Sequence, residues 1–147
     1  MAQMIKAMGP GGLSAAAGLT ALVLALAPGQ ALSASCGART FTVYFEEWKP
    51  SLNTEARDAL NAAQHSFAGC AIDHVRIVGL AGAKGGAHDN QKLSEDRART
   101  IADLLVAGGW PREKLETVAI GDKNAKVGDL DKPIRRRVRV EVQARAG

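Results

Sequence analysis

Aromatic side chains are scarce in this chain of 147 residues: two Trp, one Tyr and three Phe, or 4%. They do not interleave with the one dense basic run, "RRRVR" (Arg135–Arg139), which argues against a stacking platform for bases, so no nucleic-acid partner is expected. Histidine is rarer still. His65, His74 and His88 show no metal-ligand spacing. No serine has a credible His/Asp arrangement, so no nucleophile is found. Glu46 and Glu47 are adjacent at a strand end, point to opposite sides and read as solvated, not as an acid/base pair. G-x-G-x-x-G is missing, and "GAKGG" places Lys84 before the glycine pair, where a Walker loop needs Gly-Lys-Ser/Thr opening a helix. With no catalytic constellation the chain is expected not to be an enzyme and to need no cofactor.

Charge is nearly absent from residues 1–35, where Lys6 stands alone and an apolar run extends from Leu13 to Ala27. A short basic start, an apolar stretch and the small residues of "APGQALSAS" read as a cleaved secretory signal peptide, with cuts after Ala31, Ser33 or Ala34 all compatible. The run is shorter than the roughly 20 residues of a membrane span, the alternative reading. Residues 36–147 then form the domain, and without Lys6 the balance is 18 basic to 15 acidic residues, a net of +3. That excess argues weakly for an acidic partner.

Cysteine is limited to Cys36 and Cys70. In an oxidising compartment a lone pair is most simply one disulfide. The competing reading, Cys36 as a lipidated first residue, would leave Cys70 unpaired and would place Ser33 where a large aliphatic residue is wanted.

What is present reads as alternating strands and helices. "RTFTVYF" (Arg39–Phe45) is β-branched and aromatic, a strand, and "EEWKPSL" is a turn carrying Pro50. Asn53 is an N-cap with Glu55 early in the helix, whose face carries Ala56, Leu60, Ala63 and Phe67 before Gly69 stops it. "HVRIVGL" is a second strand, with Val75 and Ile77 on one side and Arg76 and Val78 on the other. After the glycine-rich Gly79–Gly86 comes a second helix, starting between Ala87 and Ser94 and ending at Gly108–Gly109. Its apolar stripe is Leu93, Ala98, Ile101, Leu104 and Leu105. A third strand is placed at Thr117–Ile120, "DKNAKVGDLDKP" reads as loop, and "RRVRVEV" closes the domain with Val138, Val140 and Val142 inward. The order is β-α-β-α-β-β, an α+β fold with one layer of helices on one sheet.

Arg97 stands out among the polar residues. It lies beside the glycine-rich loop near a helix start, where its planar fork and nearby helix N–H groups suit a carboxylate. The plainer alternative pairs it with Glu95 or Asp96 at the surface.

"FTVYFEEWKPSLNTEARDAL", "IVGLAGAKGGAHDNQKLSEDRARTIADLL", "GGWPREKLETVAIGD" and "RRRVRVEV" resemble, in order and spacing, the C-terminal domain of OmpA-like proteins, over about Phe41 to Val142. The most specific piece is "NQKLSEDRA" (Asn90–Ala98), against the family's N-x-x-L-S-x-x-R-A. The resemblance implies a two-layer sandwich, a mixed four-stranded sheet with two helices on one face and the last strand antiparallel to the others. It implies non-covalent binding of peptidoglycan at the diaminopimelate of the stem peptide, in the periplasm and in association with the outer membrane. Asn90, Leu93, Ser94 and Arg97 fall in the binding motif, with Arg97 on the ligand carboxylate. Where the family has G-H-T-D, with aspartate holding the ammonium, this chain has Gly79, Leu80, Ala81 and Gly82. Gly82 therefore replaces the ammonium-binding aspartate. Binding is expected to be weakened by that loss, and Asp89 is the nearby acid that could substitute. The alternative is a degenerate domain that serves as an envelope structural or protein-interaction module. With the first two strands parallel, Cys36 and Cys70 fall at one end of the sheet and are expected to pair.

Overall fold

The computed structural model describes residues 36–123, 126–127, 130–131 and 136–147. The signal-peptide reading of residues 1–35 and Arg135 of the basic run lie outside the described residues. The chain runs β1 (Arg39–Tyr44), α1 (Thr54–His65), β2 (Cys70–Gly79), α2 (Ala87–Ala107), a short 3-10 turn (Arg112–Lys114), β3 (Leu115–Ala119), β4 (Lys126–Val127), β5 (Leu130–Asp131) and β6 (Arg137–Ala146). The main sheet is ordered β1-β6-β2-β3. β6 is antiparallel to both β1 and β2, while β2 and β3 are parallel. The last strand thus inserts between the first two, so β1 and β2 point the same way without touching.

The helices begin and end where local chemistry dictates. Asn53 Oδ1 accepts from the Ala56 N–H at 2.9 Å, satisfying one of the free donors of the first turn of α1. α2 starts at Ala87, the early end of the expected window, and Gly109 closes it in a left-handed conformation, φ 97°. Val43, Phe45, Val75, Ile77, Val138, Val140 and Val142 form the inner face of the sheet and pack on Leu60, Ala98, Ile101 and Leu105 of the helices. Burying each of these Val, Leu, Ile and Phe side chains stabilises the fold by about 1.5–3 kcal/mol. Gly79, at the end of β2, admits α2 at close range: a Cβ there would collide with the Ser94 carbonyl.

At the far end of the sheet, Cys36 and Cys70 are joined in a disulfide, with Cα atoms 5.7 Å apart. The Phe67 ring meets Trp110 edge-on at 5.6 Å, and the Arg39 guanidinium lies 3.9 Å from the Phe67 ring centre.

Several boundaries differ from the sequence expectation. β2 begins at Cys70 instead of His74, because Cys70–Ile72 pairs with Ala144–Ala146 beyond a bulge between Ile72 and His74. β6 accordingly continues past Val142 to Ala146. β3 covers Leu115–Ala119, not Thr117–Ile120: Leu115 pairs with Val75 and packs against the core. The polar stretch after Gly121 was expected to be loop, yet β4 and β5 pair there as a small antiparallel ladder.

Candidate functional site

Glu47, Trp48, Gly82, Lys84, Asn90, Leu93, Arg97 and Arg136 converge on one cleft at the end of the sheet opposite the disulfide. The cleft is narrow, with a cavity volume of about 10 Å³, room for about one water. Three chain segments form it. The β1–α1 connection brings Glu47 and Trp48, the β2–α2 loop brings Gly82 and Lys84, and α2 brings Asn90, Leu93 and Arg97. These helix positions are three and four residues apart, so they share a face.

Arg97 forms the floor and is 0% exposed. Its guanidinium donates to three main-chain carbonyls: Nε to Lys49 O at 3.1 Å, Nη1 to Leu80 O at 3.2 Å and Nη2 to Glu46 O at 2.9 Å. It also lies 5.2 Å from the centre of the Phe45 ring. A guanidinium carries five N–H groups. Those three bonds engage all three nitrogens and fix the plane of the fork, the group that binds a carboxylate bidentately. The expected surface pairing of Arg97 with Glu95 or Asp96 does not occur: Asp96 pairs with Lys92, and Glu95 accepts from Gln91. Burial first, and then the nearby positive charge of Arg136, lower the Arg97 pKa to about 10. The group remains a cation at neutral pH, but a desolvated one whose charge an anion would relieve.

The mouth is built from ion pairs. Glu47 reaches Lys84 Nζ with Oε1 at 3.0 Å and Arg136 Nη1 with Oε2 at 3.4 Å. Trp48, held at a positive φ of 58°, lays its ring over Gly85, where any Cβ would strike the indole. Gly85 itself has φ 93°, so both its conformation and its neighbour require glycine.

Of the residues singled out in the sequence, Arg97, Gly82, Asn90 and Leu93 come together in the cleft. Ser94 does not. Its hydroxyl is fully buried behind the cleft, donating to Gln91 O at 2.7 Å and accepting from the Gly121 N–H at 3.0 Å. It fixes α2 to the turn after β3. Asn90 faces both ways, lining the cleft while its Nδ2 donates to Asp122 at 2.9 Å. Asp89 is exposed beside His88 and is not part of the lining. Among the described residues no His, Cys, Asp and Glu group could hold a metal ion.

A sequence model of the OmpA family matches residues 44–139, well over half of the chain. The chain belongs to the OmpA family. Outer membrane protein A of Serratia marcescens is 34% identical over 89 residues, covering 59% of this chain and 25% of that protein. The chain spans only 25–34% of the length of the first three curated relatives it matches. Among solved structures, the OmpA-like domain of FopA1 from Francisella tularensis superposes with a TM-score of 0.63 at 24% identity, covering 75% of this chain and 76% of that one. The peptidoglycan-associated lipoprotein of Burkholderia pseudomallei gives 0.55 at 19% identity, with coverage of 71% and 89%. These likenesses show the fold: an OmpA-like α+β sandwich, a mixed four-stranded sheet with two helices. The family's modules are structural, not enzymatic.

Glu47, Trp48, Lys84 and Arg136 were not anticipated as cleft residues of this OmpA-family domain. Strand parity held a signal for two of them. Arg136 precedes β6 in step with the inward Val138 and Val140, and Glu47 follows β1 in step with the inward Val43 and Phe45. Continuing those rows past the strand ends leads into the cleft. Glu47 is solvated as expected, with 40% of its side chain exposed, and it also lines the cleft.

Proposed function

We propose that this domain is a periplasmic module of the cell envelope, associated with the outer membrane, that binds peptidoglycan non-covalently through the diaminopimelate of the stem peptide. Arg97 holds the ligand carboxylate, with Asn90 and Leu93 beside it and Gly82 on the opposite wall. The observation that carries this reading is the guanidinium of Arg97, buried at the base of a cleft and oriented by three carbonyls. Such fixed orientation lowers the ordering cost of a bidentate bond. The family membership and the fold likeness to a peptidoglycan-associated lipoprotein support it.

Binding is weaker than in a relative that also carries an acidic partner for the ammonium, because Gly82 has no side chain. The other reading, an envelope structural or protein-interaction module without peptidoglycan binding, draws on that same glycine. Sedimentation of the purified protein with sacculi separates the two. Retention in the pellet is expected, with loss of retention in Arg97→Lys, which keeps the charge but lacks the fork. A circular dichroism spectrum of that variant checks that it folds. Wild-type protein left in the supernatant at moderate salt would favour the second reading.

A further inference from the structure

The cleft lining carries three cations, Arg97, Lys84 and Arg136, and one carboxylate, Glu47. That carboxylate is already engaged by two of the three, Lys84 at 3.0 Å and Arg136 at 3.4 Å. Among the described residues, the other acids nearby are committed elsewhere. Glu46 pairs with Lys49, Asp89 faces His88 outside the lining, and Asp122 lies behind Asn90 and takes its amide. Gly82 adds no charge and no bulk. A ligand entering this cleft meets an excess of positive charge, with the most desolvated member, Arg97, at the floor. Such a site favours a carboxylate that comes without an adjacent ammonium. The ammonium would lose water and approach like charges, an interaction that strengthens as the local dielectric falls.

Resting on the stem-peptide reading above, we infer that this domain selects diaminopimelate whose side-chain amine is acylated, as in a cross-linked stem, over diaminopimelate with a free amine. Acylation turns the ammonium into a neutral amide and leaves the neighbouring carboxylate intact. The head group changes from a zwitterion to an anion, which is the charge that the lining calls for. Gly82 places no carboxylate on the wall that would favour a free ammonium over an acylated amine. The domain is thus a reader of cross-linked wall, with Lys84, Arg136 and Gly82 setting the preference and Arg97 supplying the grip.

The test uses two synthetic peptides, L-Ala-γ-D-Glu-meso-diaminopimelate with its side-chain amine free and the same peptide acetylated on that amine, titrated calorimetrically into the full protein. The acetylated peptide is expected to bind about tenfold tighter or more, a difference of about 1.4 kcal/mol. Equal or tighter binding of the free amine overturns this inference and leaves the proposed function standing. Silence from both peptides overturns the two together. Gly82→Asp restores a carboxylate to the wall and is expected to reverse the order. Gly82 is not among the glycines with positive φ, so aspartate meets no left-handed backbone strain there. An unchanged order in a Gly82→Asp protein that folds normally also overturns the inference.

Discussion

The two ends of the sheet each carry an arginine lying on a phenylalanine and tied to main-chain carbonyls, and they put it to opposite uses. At the disulfide end, Arg39 lies 3.9 Å from the Phe67 ring centre and donates to Ser66 O at 2.8 Å. It braces a region already fastened by Cys36–Cys70. At the cleft end, Arg97 lies over Phe45 and donates to Glu46, Lys49 and Leu80, and no covalent link is present there. The segments around it are held by that hub and by ion pairs between exposed side chains. One end is locked covalently, and the other is closed by non-covalent contacts alone. Local stability in proteins is uneven in this way, with binding segments drawn from the less fastened parts.

Removing the two arginines in turn breaks the comparison most severely. Arg97→Ala strips three carbonyls of a charged donor and opens a hole at the base of the cleft. It is expected to cost about 3 kcal/mol or more in denaturant unfolding and to abolish retention on sacculi. Arg39→Ala loses one hydrogen bond and a cation–π contact, about 1–2 kcal/mol together, with retention unchanged. Equal losses of stability would mean that Arg97 is no more a hub than its counterpart.

The covalent fastening gives the next largest effect. Replacing Cys36 and Cys70 by serine frees a link that spans 34 residues of sequence. A loss of about 2–4 kcal/mol is expected on the chain-entropy account. Because the bond lies at the far end from the cleft, affinity for the stem peptide should stay within about twofold. A tenfold loss of affinity in the double serine variant would show the two ends to be coupled. Mass spectrometry of protein purified without reductant should find no free thiol.

The helices and strands were more legible in the sequence than the cleft. Alternating apolar residues located β1 and most of β2, Asn53 announced its own cap beside the cleft, and a lone pair of cysteines left one simple pairing, while the strand bounds missed at Cys70, Leu115 and Ala146 all lie at the disulfide end. Each of these signals is local, or depends on composition alone. The cleft depends on three segments far apart in sequence. Its motif residues Arg97, Asn90 and Leu93 could be read because they repeat along one helix. Glu47 and Lys84 meet only because β1 and the β2–α2 loop end side by side, which the order of elements along the chain does not reveal. Ser94 sits in the same motif, but its hydroxyl faces the turn after β3, and the sequence does not distinguish a residue lining a site from one bracing it. Leu115 was missed for another reason. "WPREKLE" reads as a turn, and the turn ends at Lys114, where pairing of Leu115 with Val75 begins the strand.

A smaller effect is expected on the outer sheet face. Arg139 pairs there with Glu141 at 2.9 Å, and Arg76 reaches the same glutamate at 3.6 Å. Both arginine side chains are more than 40% exposed. Reversing Arg137 and Arg139 together to glutamate should cost no more than about 1 kcal/mol. It should leave cleft binding nearly unchanged, since neither residue lines the cleft. A fall in melting temperature as large as that of the cysteine variant would mean that these side chains contribute to packing as well as to surface charge.

The smallest change in stability, and the sharpest probe of a replaceable closure, is Glu47→Gln. Glu47 joins Lys84 and Arg136 across the mouth, with 40% of its own side chain exposed and 64% of that of Lys84. Pairs this exposed contribute at most about 1 kcal/mol, so the variant should unfold close to wild type. Its effect on binding should be out of proportion to that. The carboxylate of an entering ligand must reach Arg97 past the Glu47 bridge, and it is repelled by the Glu47 charge. Glutamine keeps the shape, weakens the bridge and leaves the three cations uncompensated. Stopped-flow mixing with the acetylated stem peptide should therefore show an association rate several-fold higher, falling toward the wild-type rate as salt screens the extra charge. The dissociation rate should change less, because Arg97 and its three carbonyl bonds are untouched. If the association rate stays the same and only dissociation responds, Glu47 is a ligand contact and not a closure. The cleft end would then be as fixed before binding as the disulfide end.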